Sequence, residues 1–506
     1  MHIFIFLFSF FVFFSNGHYG GDGLENYLTA ESIVLDGDIS IYDRPFGIKE
    51  MKYEAGKKPG AAGNRYSSYG IGMPILLVPL YALGHIISKA FSGIGHDYIT
   101  QFCVSLANPA IGALTALILF MLLGRLGYDK KTKVITVLCY SFCTMSLVYT
   151  RSGFSEPAVT LFVLSAFLFL HKYESESLAR YALLSSALIG YSLLIKMNSF
   201  LYLFLIFFYL VYKGADFKSA RHAVKLWLAV IIPVSCCFIL SLFIYFMKRS
   251  NAVDPGAGIE TVFTQKGLIF GPNFFKGLFY YLLSAGKGYF YYNAPLILAF
   301  FGIRGLLKQD KKFTLYILAF IIINFLFYAY IFLRGSIFSW GPRYLYPTIP
   351  FMCIFLAEFI QQSRAIIRKL MLILFSALGF LVQLPCLFIS FSRYLLFVKE
   401  GLSLQEYFIN FIPELSPIRG SWYLFTSAVG RVFGYPALNF EYNPDYWFVK
   451  PVIASMKNYD IWDVWWVNVP AVSPGLLSAV ISAMVILAVI LVISVISIRR
   501  SIYAPE

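Results

Sequence analysis

The stretch HIFIFLFSFFVFFSNGHYGGDGLENYLTAESIVLDGD (residues 2–38) joins a run of almost pure hydrocarbon to a segment carrying five carboxylates, Asp22, Glu25, Glu31, Asp36 and Asp38. The first part, residues 2–15, lacks a basic leader region and an A-x-A site before Asn16, so it reads as an uncleaved first helix rather than a signal peptide. It is short for a span, and a start upstream of Met1 would lengthen it. Leu24–Leu35 has helical spacing.

The remainder of the chain repeats the greasy half of this pattern. Of its 506 residues 59% are hydrophobic, 19% aromatic and only 13% charged, a composition outside that of soluble domains. Many apolar runs approach the roughly 20 residues needed to cross a hydrocarbon core about 30 Å thick. The expected fold is an all-α polytopic membrane protein of about twelve transmembrane helices (eleven to thirteen). The net charge of +15 does not point to nucleic acid, because Lys and Arg fall in short clusters between apolar runs and mark cytoplasmic loops. The seven cysteines lie in apolar segments without a CxxC, and the six histidines form no HExxH. Neither a disulfide framework nor a zinc site is indicated.

With the basic loops inside, Phe102–Leu123 runs inward to GRLGYDKKTK (124–133) and Val134–Thr150 outward to TRSGFSEP (150–157). Ala158–His171 returns, Tyr181–Ile195 exits to KMNS, Phe200–Tyr212 re-enters and Leu226–Met247 exits. Tyr291–Leu307 enters at KQDKK, Phe313–Leu333 exits, Tyr344–Ile360 enters, Leu370–Phe391 exits and Leu476–Ile498 enters, stopping at Arg499 and Arg500. The segment YGIGMPILLVPLYALGHII (69–87) breaks the parity. It is expected to lie on the outer face as a juxtamembrane or re-entrant segment, its glycines and prolines interrupting a straight helix. Three outer loops result, about 16–101, 248–289 and 392–474, with both termini cytoplasmic. Residues 1–400 form the expected catalytic region, and 401–506 an aromatic-rich outer loop plus the last helix.

Candidate chemistry gathers on the outer face. Asp22 stands ahead of the predicted acidic helix, where it can cap the helix or serve as a general base at the membrane surface. Glu156 precedes the proline that opens a membrane helix, favourably placed by the helix dipole and equally suited as a second acid. Lys196, Lys287 and Arg343 break the positive-inside bias, as a phosphate at the outer interface would require; snorkelling to lipid headgroups is the plainer account. SAGKGYF (284–290) is not a phosphate loop, since Tyr281 stands where GxxxxGK needs glycine and Gly288 follows the lysine. Trp422, Trp447, Trp462, Trp465 and Trp466 fit an interfacial aromatic belt or a sugar-stacking surface.

Taken in order, DGxxxYxxAxSxxxDGD (22–38), YGxGxPxLLxPxYALG (69–84), SEPxxxxFxxSxFLFL (155–170), SxGKGxFxYxxP (284–295) and WGPRYLYPxxPF (340–351) resemble bacterial polytopic glycosyltransferases of the GT-C superfamily, relatives of the dolichyl-phosphate-mannose protein mannosyltransferases and the lipid A aminoarabinose transferases. The resemblance runs through most of residues 1–360. It implies juxtamembrane helices in the first outer loop. It also implies transfer of a sugar from a polyprenyl-phosphate donor to a glycan, lipid or protein acceptor, with inversion, outside a bacterial inner membrane. By the same resemblance Asp22 is the base or acceptor-orienting group, with Glu25 sharing that role, and Glu156 is the second acid. Where several relatives carry a lysine before the juxtamembrane segment, this chain has Ser67 and Ser68, which leaves phosphate binding to Arg65, Lys196 or Arg343. Lys287, Tyr69 and Tyr344 complete the expected substrate-binding set. A divalent metal could be held by outer-face carboxylates. The rival reading is a transporter or flippase of a lipid-linked sugar, which calls for ionisable groups in mid-membrane, and few are visible.

Overall fold

The computed structural model describes residues 1–41, 66–90, 95–203, 220–249, 272–330, 339–363, 365–402, 406–435 and 461–503. Its principal helices are α1 (His2–Phe13), α2 (Asp22–Leu35), α3 (Gly72–Ala90), α4 (His96–Ser105), α5 (Ala107–Arg125), α6 (Lys130–Cys143), α7 (Glu156–Glu176), α8 (Ala179–Ile195), α9 (Ala220–Arg249), α10 (Ala299–Gln309), α11 (Lys311–Tyr330), α12 (Ile349–Gln361), α13 (Ile366–Gln383) and α14 (Leu477–Tyr503). Among the described residues the only β pairing is a single antiparallel bridge between Ser40 and Tyr66.

The protein is an all-α polytopic membrane protein. Seven helical stretches in the described residues are long and apolar enough to cross a bilayer: Gly72–Ala90, His96–Arg125, Val224–Lys248, Lys311–Tyr330, Arg343–Gln361, Ile366–Leu387 and Pro474–Ile502. All but the first coincide with expected crossings. Other expected crossings are shorter helices: α1 has 12 residues, α6 has 14 and α8 has 17. Only 6% of the Val224–Lys248 span and 11% of the last span are buried, so both present nearly their whole apolar surface outward, as lipid-facing helices do.

One expectation needs correction. The glycines and prolines of residues 69–87 do not interrupt the helix there, because α3 runs unbroken from Gly72 to Ala90. Pro74 sits in its first turn, where a missing N–H costs nothing, and Pro79 is carried inside the helix.

The chain divides into two compact units, one formed by residues 1–16, 123–151 and 267–506, the other by residues 17–122 and 152–266. In the first, α1 lies against α14, and the indole N–H groups of Trp465 and Trp466 donate to the carbonyls of Val12 and Phe13 at 2.9 and 3.0 Å. Both carbonyls lie at the end of α1, where the helical N–H partners run out, and the Val12 carbonyl also accepts from the Ser15 N–H at 3.1 Å. The two tryptophans therefore act as a helix cap, and Trp447 lies outside the described residues. Buried Arg151 donates to the carbonyls of Cys386 and Asp463, whose carboxylate accepts from the Ser390 N–H at 2.9 Å and from Arg393 at 3.3 Å. Glu358, fully buried in α12, accepts from Tyr128 (3.0 Å), Gln309 (2.9 Å) and Gln362. Burial and the adjoining carboxylate hold the Tyr128 phenol far above its ordinary range, so it stays a neutral donor.

In the second unit α7 and α8 are antiparallel, with Phe162 stacked on Tyr191 (4.7 Å) and Phe169 on Tyr181 (6.1 Å). Helices α8 and α9 run parallel: Ser186 pairs with the Ala229 carbonyl, Gly190 lies against Pro233, and Ser241 reaches the Leu193 carbonyl. A parallel pair needs a return segment between its members. The expected 200–212 crossing falls there, and all but its first residues lie outside the described ones. The start of α7 and the last residues of α8 and α9 thus share one end of this unit. At the same unit's α4–α5 break, the Tyr19 hydroxyl accepts from the Asn108 N–H (3.1 Å) and donates to the Ser105 carbonyl (3.3 Å), satisfying two backbone groups the break exposes. Burial raises the Tyr19 phenol well above its usual range, which keeps this donor neutral. Tyr19→Phe leaves both backbone groups unsatisfied and is expected to cost about 1–3 kcal/mol, read as a lowered Tm of the detergent-solubilised protein.

Candidate active site

The acidic helix α2 begins at Asp22 itself, not after it. Gly21 takes the N-cap position with φ +55°, a left-handed conformation open to glycine, and offers no side-chain cap. Asp22 is half-buried in the first turn, and its carbonyl accepts from the Asn26 amide at 3.0 Å. The next residue decides where this turn sits. A Cβ on Gly23 would stand 2.5 Å from the Cα of Gly153, and a Cβ on Gly153 the same distance from Gly23, so the two backbones touch. Asn108 fastens the same loop by donating to the carbonyls of Ser152 and Phe154. Asp22 and Glu156 therefore flank one backbone contact.

Glu156 opens α7 and is buried, and its carboxylate forms an ion pair with Lys196, the residue that ends α8. Segment 67–72 lies beside that pair. A Cβ on Gly70 would fall 2.2 Å from the Leu194 carbonyl oxygen, and Tyr191 donates to the Gly72 carbonyl at 2.9 Å. On the other side of this segment Glu25, 8% exposed, accepts from the Ser67 hydroxyl at 2.9 Å and the Ser68 N–H at 3.3 Å. Lys248, 5% exposed in the last turn of α9, donates to the Tyr69 carbonyl at 3.0 Å and lies within electrostatic reach of Glu25. Two acids and two lysines are gathered around six residues of backbone, with Asp22 one helical turn away.

Glu31 is buried but occupied by the Tyr81 hydroxyl at 2.9 Å, and Tyr27 bonds Thr100 at 2.7 Å, so both tie α2 to its neighbours. Asp38 accepts from the N–H and hydroxyl of Ser40 and shapes a turn.

Lys287, Arg343 and Tyr344, also expected to bind substrate, belong to the first unit. Lys287 is wholly buried and its ammonium donates to the carbonyl (2.6 Å) and hydroxyl (2.9 Å) of Ser339. It holds the turn before Arg343. Trp340 in that turn donates to Gln383 at 2.7 Å, and Gly341, at φ +61°, lies against the Tyr292 ring. The Arg343 guanidinium covers the Tyr344 ring at 5.0 Å, and that ring stacks on Tyr328 at 5.2 Å. The glycine of SAGKGYF serves packing: a Cβ on Gly286 would meet the Ile409 carbonyl at 2.4 Å. Arg65 lies outside the described residues. Among the described residues no three His, Cys, Asp or Glu side chains are placed to hold a metal ion, so the arrangement gives no ligand set for the divalent cation considered above.

Sequence reading missed Lys248. The signal was present, since Lys248 and Arg249 also stand at the outward end of an expected crossing, against the positive-inside bias.

Residues 83–243 match the family described as dolichyl-phosphate-mannose-protein mannosyltransferase. That is the group the motifs resemble. The matched stretch runs from within α3 into α9 and holds Glu156 and Lys196. No curated protein matches the chain. Two solved structures are similar: ArnT from Cupriavidus metallidurans bound to undecaprenyl phosphate (TM-score 0.48, 13% identity, 90% of this chain and 72% of that one) and the same protein in the apo state (TM-score 0.47, 15% identity, 89% and 72%).

The ion pair gives a direct test of the geometry. Glu156→Gln or Lys196→Met alone leaves a buried charge uncompensated and is expected to cost about 3 kcal/mol, the low end for buried pairs because Lys196 is partly exposed. The double variant should cost less than the sum by roughly 1–3 kcal/mol, measured by a double-mutant cycle of unfolding in detergent.

Proposed function

We propose that this protein is a membrane glycosyltransferase that moves a sugar from a polyprenyl-phosphate carrier to an acceptor on the extracytoplasmic face of a bacterial inner membrane. The observation that carries the reading is the cluster of Glu25, Glu156, Lys196 and Lys248 around segment 67–72, with Asp22 on the adjoining turn. The mannosyltransferase family match over residues 83–243 supports it. Buried Glu25, Glu156 and Lys248 at the helix ends are more than lipid anchoring needs, since a snorkelling lysine keeps its ammonium in water.

The chemistry is a displacement at the anomeric carbon. The acceptor hydroxyl oxygen forms the new bond to C1 while the bond from C1 to the phosphate oxygen breaks, and the electron pair leaves with the polyprenyl phosphate. Asp22 is the half-buried carboxylate of the set and takes or orients the acceptor proton. Glu156 is committed to Lys196 and acts as the second acid by fixing that cation. A phosphate is a good leaving group when cations balance it, so no general acid is needed. Arg343 and Tyr344 are proposed as further donor-binding residues on residue type alone.

The test is the glycolipid profile of cells lacking the protein, complemented with the wild type or with Asp22→Asn at equal protein level. The expected result is loss of one lipid-, glycan- or protein-linked sugar, restored by the wild type and reduced about 100-fold or more in rate by Asp22→Asn, the range for loss of a general base. A normal profile with Asp22→Asn removes Asp22 from the mechanism.

A further inference from the structure

Lys248 and Glu25 have no part in the displacement just described, yet both are withdrawn from water. Burying a lysine ammonium is costly unless acceptors replace its hydration. Lys248 has three N–H donors. Among the described residues its hydrogen-bond acceptor is the Tyr69 carbonyl, at 3.0 Å, and its compensating charge is Glu25. Glu25 in turn directs its carboxylate to Ser67 and Ser68, the residues that lead into Tyr69. The acid thus locks the turn whose carbonyl receives the lysine. Lys196, the lysine that ends α8, is already bound to the Glu156 carboxylate. Lys248 is the more deeply buried of the two ammoniums, set in a low-dielectric position where one anionic oxygen gains most.

We propose that Lys248 binds the phosphate of the lipid-linked donor, and of the carrier left after transfer, and that Glu25 is the positioning residue that holds Lys248 and the 67–69 turn in place. The assignment rests on the lipid-phosphate reading of the preceding subsection. Glu25 then acts through Lys248 and does not take the acceptor proton.

The experiment measures binding of a short-chain polyprenyl phosphate, and of the polyprenyl alcohol of equal length, to the purified full-length protein in nanodiscs. The variants are Lys248→Met, which keeps the apolar stem, Lys248→Arg, Glu25→Gln and Glu25→Asp. Wild type should prefer the phosphate. Lys248→Met should weaken phosphate binding by about tenfold or more, the worth of one charge-assisted hydrogen bond, with alcohol binding unchanged. Lys248→Arg should keep most of the preference. Glu25→Gln should lower it, and Glu25→Asp should restore part of it, a rescue that a general loss of stability would not produce. If wild type binds phosphate and alcohol alike, the lipid-phosphate reading itself fails. If wild type discriminates and Lys248→Met binds the phosphate as tightly, the Lys248 assignment is overturned while the wider reading stands. Should Lys248→Met not fold, Glu25→Gln decides: a lost preference at unchanged Tm supports the assignment, and an unchanged preference overturns it.

Discussion

Two places where backbone meets backbone with no room for a side chain govern everything else at the candidate site. Gly23 rests on Gly153, and Gly70 rests on the Leu194 and Ile195 carbonyls. The first contact brings the turn carrying Asp22 against the loop that leads to Glu156. The second sets the 67–72 segment against the end of α8, which carries Lys196. A side chain at these positions would overlap the facing backbone and push the segments apart, because a packed interior absorbs overfilling poorly. The glycines of the DG and YGxG patterns are thus requirements of distance.

Around these contacts the unit places charge where a membrane protein can least tolerate it unsatisfied. Among the described residues each buried carboxylate of this unit has an identifiable partner: Glu31 has Tyr81, Glu25 has the 67–68 turn, and Glu156 has Lys196. The first unit shows the same economy in a structural setting, where neutral donors surround Glu358 and carbonyls receive Arg151. The difference lies in the partners. Where amides and phenols satisfy a buried acid, the arrangement ties helices together. Where acids and lysines meet at helix ends beside a half-buried aspartate, the arrangement is the one on which the proposed function rests.

The expected and observed elements agree where a local pattern was strong and part where a neighbour decided. The run Leu24–Leu35 reads as a helix from its spacing and is one, and Glu156 before Pro157 begins a helix as the dipole and the proline direct. Residues 69–87 read as broken, and from Gly72 onward they are one continuous helix, since a proline in a first turn is harmless and another is carried within it. Lys287 is singled out by its type and place, and the structure adds that its ammonium donates to Ser339, 52 residues along the chain. The tryptophans of the last outer loop read as a belt or a sugar surface, and two of them cap the first helix.

Composition and charge alone established an all-helical membrane protein, and the order of its motifs established which family it resembles. Both follow from properties each residue carries with it: hydrocarbon seeks the bilayer, and lysine and arginine collect on one side of it. The sequence likewise singled out Asp22, Glu25, Glu156 and Lys196 by type and place. Which acid meets which base was decided only by the tertiary structure. Glu156 lies 40 residues from Lys196, and Lys248 lies 179 residues from Tyr69. Such pairings depend on the start of α7 meeting the ends of α8 and α9 and on glycines that let the connecting backbones touch, and neither is encoded in the period or charge of any single segment.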